Sequence, residues 1–415
     1  MKWTEGIDKL GLGLYFVLCL FAIANIYSVD EGLGKKQLIF FGISIFVGLI
    51  IFLSRSKFFE NMSGIIYIGG VLMLAGLHVF GTEILGQKNW YKFGSFTMQP
   101  VEFSKIGTAL MLANYVSGAD FDLKNTKSLI TSLAIIGIPA VVVLSIPDVG
   151  SLLVFTAFFI ALYREGLSGK LFVVGGLFGA VFLIANYLND PLQWSLWYFT
   201  VFIIVIGGLW FAFNAALLRK NIYTLLPGVG IILLLAALSF ISPVIFEKLP
   251  KHQQERVEVL YKGEREFRDT SGYNLLYSKT AIGSGGMLGK GFREGSVTQG
   301  KFVPEQETDY IFCTVGEEWG FVGSAVLVFA YMIFIGRIYY LSEKQKSVFN
   351  RVFGYCFASI LLMHFSINLG MVMGLFPTVG IPLPYFSYGG SSLLAFSMMT
   401  FIFFKLNYAD KNSLV

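Results

Sequence analysis

The stretch Pro304-Glu305-Gln306-Glu307-Thr308-Asp309-Tyr310-Ile311-Phe312 sets three carboxylates directly before an apolar run that leads to Glu317 and Glu318. A carboxylate at the edge of an apolar environment is harder to ionise than one in water. It therefore holds a proton taken from a substrate more readily, and general-base chemistry is one reading of the segment. Helix capping is the other: Thr308 and Asp309 are residue types that accept the first free N–H groups of a helix, an effect of about 1 kcal/mol that involves no chemistry. The spacing leaves both readings open.

Glu102 and Lys105 form a second constellation. They are three residues apart in an apolar run, so on a helix they share a face and can pair. Ionisable groups inside a membrane-crossing helix are costly and mark function by default. The segment before them, residues 86–99, carries Trp90, Tyr91, Lys92 and Phe93. Trp90 also suits the aromatic belt at a membrane surface.

The run Ala281-Ile282-Gly283-Ser284-Gly285-Gly286-Met287-Leu288-Gly289-Lys290-Gly291 invites a phosphate-binding reading. A nucleotide P-loop would need Gly at 284 and Ser or Thr at 291, where Ser284 and Gly291 stand, so that motif is excluded. The glycines can still gather backbone N–H groups around an anion, with Lys279 and Lys290 nearby, or they can form a purely structural turn. Cys19, Cys313 and Cys356, like His78, His252 and His364, have no disulfide or metal-ligand spacing and read as structural.

These residues need elements to hold them, and composition says what kind. Of 415 residues 55% are hydrophobic and 14% charged, with 42 Phe and a mean hydropathy of +0.69. Soluble domains carry about 25% charged residues, so a water-soluble fold is excluded. About twenty apolar residues cross a bilayer as a helix. Twelve apolar runs answer that description, near 10–29, 38–53, 63–80, 101–116, 128–146, 150–163, 171–188, 195–217, 224–246, 320–341, 352–374 and 386–404. The expectation is an all-α polytopic membrane protein of about 12 transmembrane helices.

Lys and Arg in short loops set orientation. With the first end inside, one side holds Lys2, Lys9, Arg55, Lys57, Lys124, Lys127, Arg164, Lys170, Arg219, Lys220, Lys344, Lys346, Arg351, Lys405 and Lys411. The other holds Lys35, Lys36, Lys88 and Lys92. Both termini are expected in the cytoplasm, and the first run is too long for a signal-peptide core. The net charge of +5 reflects this inside bias rather than nucleic-acid binding. Residues 247–319, between spans nine and ten, then form one long extracytoplasmic loop. They hold 22 of the 57 charged residues, and loops of such length are commonly functional.

Taken in order, several stretches resemble the SEDS family of cell-shape and division proteins. They are Gly86-Gln87-Lys88-Asn89-Trp90, Gln99-Pro100-Val101-Glu102 with Lys105, Pro147-Asp148-Val149-Gly150, Arg256-Val257, and Gly272-Tyr273 with Ser278-Lys279 and the glycine run. Further on come Pro304-Glu305 with Thr308 to Phe312 and Glu317-Glu318, Asn368-Leu369-Gly370-Met371-Val372, and Pro382-Leu383-Pro384 with Ser387-Tyr388-Gly389-Gly390-Ser391-Ser392. Asn89 departs from the family's usual basic residue, Val101 from its Ser, Ile146 from its Gln before Pro-Asp, and Tyr277 from a usual Gln.

The resemblance implies a single membrane domain over 1–415 in the bacterial inner membrane, usually of ten spans, with residues 195–246 as an inserted helix pair. It implies polymerisation of lipid II into glycan strands during elongation and shape maintenance, with release of undecaprenyl pyrophosphate. Asp309 would be the general base. Lys105, Arg256, Lys279 and Lys290 would hold the pyrophosphate, Glu102 would orient Lys105, and Trp90, Glu305 and Thr308 complete the substrate-binding set. No cofactor or metal is indicated. Partners would be a class B penicillin-binding protein and the elongation machinery. Division-type polymerisation, or a flippase using Glu102, Lys105 and mid-span prolines such as Pro139 as a path, are the competing readings.

Overall fold

The computed structural model describes residues 6–84, 87–94, 96–146, 148–217 and 221–412. Gly86 and Pro147 of the motifs, and Lys2, Arg219 and Lys220 of the charge count, lie outside them. The chain divides into two compact units, Met1–Leu167 with Asn274–Val415, and Ser168–Tyr273.

The first unit opens with α1 (Lys9–Val29) and α2 (Glu31–Leu53). Asp30 separates them and caps the second, its carboxylate accepting the Leu33 N–H at 3.0 Å. After α3 (Ser56–Phe80) come three short antiparallel strands, β1 (Thr82–Ile84), β2 (Gln87–Phe93) and β3 (Phe96–Met98), in the order β1-β2-β3. Hydropathy alone does not register so small a sheet. Pro100 then starts α4 (Pro100–Val116) at the position where a missing N–H costs nothing. α5 (Thr126–Ser145), α6 (Val149–Phe155) and α7 (Ala157–Arg164) complete this half.

The second unit holds α8 (Lys170–Asn189), α9 (Leu196–Ala212) with a π turn at Phe213–Leu217, α10 (Ile222–Glu247) and the polar α11 (Lys251–Lys262). Its apolar helices are joined by polar pairs: Asn186 with Ser242 at 2.7 Å and Thr200 with Ser239 at 2.8 Å. Such bonds tie helices together where apolar surface alone gives little preference.

The first unit resumes with α12 (Tyr273–Ser284), α13 (Ser296–Gln299), α14 (Ile311–Glu343), α15 (Val348–Val372) and α16 (Gly390–Asn412). α4, α15 and α16 are largely buried, whereas α2 and α3 present Phe46, Leu49, Ile65 and Leu72 outward. Helices apolar on their exposed faces suit lipid, not water.

Among the described residues ten helices are long and apolar enough to cross a membrane. The other two predicted runs are also helical but short. α4 has 17 residues and carries Glu102 and Lys105, and residues Val149–Arg164 break at Thr156 into α6 and α7. The chain is a predominantly helical, multi-pass membrane protein; among the described residues ten helices qualify as spans by length and composition, and the other two expected runs do not. The tenth predicted run also starts earlier than expected. α14 begins at Ile311 and is interrupted at Gly320, so Glu317 and Glu318 lie inside it.

Candidate active site

Asp309 sits on the turn that feeds α14, and its neighbours are fixed by backbone contacts from residues far away in sequence. Asn368 on α15 donates its amide to the Asp309 carbonyl at 2.8 Å and to the Ile381 carbonyl at 2.7 Å. Ser387 donates its hydroxyl to the Thr308 carbonyl, and the Tyr388 N–H donates to the Glu307 carbonyl at 2.8 Å. Gln37 on α2, fully buried, holds the other side of that loop by accepting from the Gly389 N–H and donating to the Ser387 carbonyl.

Gly380 comes next to the carboxylate itself. Its φ is +69°, and a Cβ there would stand 3.2 Å from Asp309 Oδ2. The Asp309 side chain is partly exposed. The N-cap of α14 is Tyr310, with no side-chain cap bond, and the Thr308 hydroxyl turns back to Glu305. Thr308 is therefore not the cap of this helix.

Glu102 and Lys105 pair as expected, at 2.8 Å, but both are almost fully enclosed. The Lys105 ammonium also meets His364 Nε2 at 2.7 Å, and His364 Nδ1 lies 3.0 Å from the Pro382 carbonyl. A carbonyl only accepts, so Nδ1 carries the proton and Nε2 is left to accept from Lys105. His364 and Asn368 are one helical turn apart on α15, and they hold the consecutive carbonyls of Pro382 and Ile381. The ion pair and the Asp309 turn are thus fastened to one loop.

Asp148 approaches the same loop. It caps α6 through the Ser151 N–H at 2.9 Å and accepts from Asn89 at 3.1 Å, while Gly150 packs against the Val379 carbonyl. Asn89, where the family's usual residue is basic, here binds a carboxylate without neutralising it. Trp90 is half-buried on β2, opposite Thr82.

The glycine run resolves toward structure. It folds onto the break in α14: the Lys290 and Gly291 N–H groups donate to the Glu317 and Glu318 carbonyls at 3.0 Å, and the Phe321 N–H donates to the Gly286 carbonyl. Gly289 and Gly320, both at positive φ, meet backbone to backbone where any Cβ would collide. Those amides are used within the fold, so the anion-cradle reading fails for them. Lys290 is engaged as well, 2.7 Å from Glu317.

Lys279 is exposed on α12, and Glu305 is exposed at φ +56° on the Asp309 turn. Arg256 lies on α11 in the second unit, half-buried. Outside the spans, the Leu33 N–H holds the Asp30 carboxyl below its ordinary value, with Lys301 adding to the effect. Burial raises the Tyr388 phenol, reinforced by Glu307 and Asp30. His364, Gln37, Asn368 and Ser387 are the positioning residues that spacing alone does not reveal, although the last two fall within motifs.

The chain matches the FTSW_RODA_SPOVE family, described as "Cell cycle protein", over residues 7–197 and 200–412. It belongs to that family, the SEDS proteins. It is 28% identical over 394 residues to the peptidoglycan glycosyltransferase MrdB of Escherichia coli K12, covering 94% of this chain and 90% of that protein. It is 28% identical over 391 residues to the peptidoglycan glycosyltransferase RodA of Treponema pallidum, covering 87% of each. In fold it is similar to a chain of a peptidoglycan synthase complex that coordinates polymerization and crosslinking, with a TM-score of 0.72, 22% identity and coverage of 99% and 100%. The crystal structure of Thermus thermophilus RodA is also similar, at 0.64, 22% identity and 99% of each chain.

Proposed function

We propose that this chain is a peptidoglycan glycosyltransferase that polymerises lipid II during cell elongation, with Asp309 as its general base. One observation carries the assignment of the base: a partly exposed carboxylate on a turn whose backbone is clamped at three consecutive residues, 307, 308 and 309. Such clamping fixes the direction of a side chain that is partly exposed, and a positioned base is what proton abstraction requires.

In the reaction the acceptor's GlcNAc 4-hydroxyl gives its proton to the Asp309 carboxylate as its oxygen attacks the anomeric carbon of the donor MurNAc. The lipid pyrophosphate leaves from the opposite face, inverting that centre. Of the four basic residues that the resemblance assigns to the pyrophosphate, Lys279 is the exposed one and supplies positive charge for it. Lys105, enclosed with Glu102 and His364, and Lys290, paired with Glu317, hold the frame of the site, and Arg256 belongs to the second unit. Trp90, Glu305 and Thr308 complete the substrate-binding set.

The fifteen-to-four bias of basic residues supports cytoplasmic termini in a bacterial inner membrane and residues 247–319 on the outer face, where lipid II is consumed. Residues 195–246 are the inserted pair. The likeness to a chain of a synthase complex supports a class B penicillin-binding protein as partner, within the elongation machinery. A flippase path through Glu102 and Lys105 is disfavoured, because both side chains are sealed by packing.

The test is lipid II polymerisation by purified protein, with and without its transpeptidase. Wild type should make glycan strands, and Asp309→Asn should lower the rate by at least about 100-fold with an unchanged melting temperature. A fully active Asn variant overturns the base; an inactive wild type with every partner overturns the activity.

A further inference from the structure

A cavity of about 230 Å³ lies beside the Asp309 turn, between the α1–α2 corner and residues 301–307. Val29, Leu33, Val303 and Pro304 form its apolar wall, and Asp30, Glu305 and Glu307 give it three carboxylates. Its single cation, Lys301, is engaged by Asp30 at 3.4 Å. Gln306 also lines the cavity; it is 2% exposed, its amide nitrogen bonds the Thr298 carbonyl, and its Oε1 has no partner. The Glu305 carboxylate accepts the Thr308 hydroxyl, so wall and base share one turn.

The chemistry of the walls limits the occupant. The volume is below the ~300 Å³ of sites for drug-sized molecules, so the cavity takes one residue-sized group. Surplus carboxylates and a carbonyl acceptor at Gln306 call for a donor-rich cation, and the apolar wall calls for a methylene stem. Among the described residues no three His, Cys, Asp or Glu are grouped to hold a metal ion, and the apolar wall beside the carboxylates suits an organic amine on a methylene stem.

We infer that this cavity binds the free side-chain amine of the diamino acid in the stem peptide of the glycan substrate. The inference rests on the polymerase reading for its substrate, and it deepens that reading. Peptide recognition would then sit two to four residues from the base. A strand whose amine is already acylated would enter poorly, so polymerisation would favour substrate that can still be crosslinked.

The experiment compares lipid II carrying the free amine with lipid II N-acetylated at that amine, in wild type, Glu307→Gln and the cavity-filling Leu33→Trp. Glu307 contributes its backbone carbonyl to the fold, so Gln keeps that bond. Wild type should show a KM about tenfold lower for the free amine at similar kcat, and Glu307→Gln should erase the difference. Leu33→Trp should raise KM for the free-amine substrate toward the acetylated value.

Equal KM values in wild type overturn the inference, as does undiminished discrimination in Glu307→Gln. Binding of a soluble muramyl pentapeptide, read by thermal shift, gives a measure independent of turnover. Amine-dependent binding in a protein that never polymerises keeps the cavity and overturns the polymerase. Polymerisation without amine-dependent binding does the reverse, and binding that follows added Mg²⁺ instead of the amine overturns the ligand assignment.

Discussion

Asp309 and Glu317 are eight residues apart, and the chain treats them in opposite ways. Glu317 is buried, and its two oxygens accept from the Val297 and Thr298 N–H groups, the Thr298 hydroxyl and the Lys290 ammonium, all within 2.9 Å. Asp309 is partly exposed, and Asn368 and Ser387 hold its backbone and that of Thr308. Glu317 is used to fold a segment, whereas Asp309 stands at the partly open surface of one. The difference in exposure is what separates them.

The comparison breaks first at the two carboxylates. Asp309→Asn should remove activity and leave stability, whereas Glu317→Gln should do the converse. Placing an amide among donors in a buried network costs roughly 2–4 kcal/mol, seen as a lower melting temperature in detergent. Activity per folded molecule of Glu317→Gln should stay within about tenfold of wild type. If the two variants exchange these phenotypes, the roles are reversed.

A smaller effect is expected at Asn368→Ala, which frees the Asp309 and Ile381 carbonyls. A drop in kcat of about tenfold, with KM little changed, would show that the clamp aims the base. An effect on stability alone would assign Asn368 to packing.

The smallest effect concerns Asp30. Its folded pKa lies below the ordinary 3.8, so its contribution is complete above that value and is lost as pH falls through the lowered one. Melting temperatures of wild type and Asp30→Asn should therefore differ by a constant small amount from pH 7 to about pH 5. They should converge only in stronger acid. Convergence near neutrality would mean that Asp30 is not held as the structure shows.

Much of the scaffold was legible because hydropathy reports directly on helices that face lipid. The Glu102–Lys105 pair was legible for the same reason, since charge inside an apolar run stands out. The exceptions are instructive. β1 to β3 are too short for periodicity to register, and α14 can start at Ile311 because the carboxylates inside it find partners, Glu317 in Lys290, Val297 and Thr298, and Glu318 in Ser28 and Gln299.

The ambiguity at Thr308 and Asp309 could not be settled from spacing, since a cap and a base use the same residue types. The Tyr310 cap position removes Thr308 as the cap, and Asn368 and Ser387, 59 and 79 residues away, hold the turn that carries Asp309. His364 reads as structural because it lacks ligand spacing, and nothing in the sequence ties it to Lys105, 259 residues away. Gly380 carries no signal in the sequence, and the structure places it beside Asp309 Oδ2.

The residues from Val379 to Tyr388 have no regular secondary structure, yet two of their carbonyls hang from α15 at points about 6 Å apart along its axis, the rise of four helical residues. The pitch of one helix therefore acts as a ruler for this loop. Through His364 and Asn368, both on α15, the Lys105 pair and the Asp309 turn share one attachment.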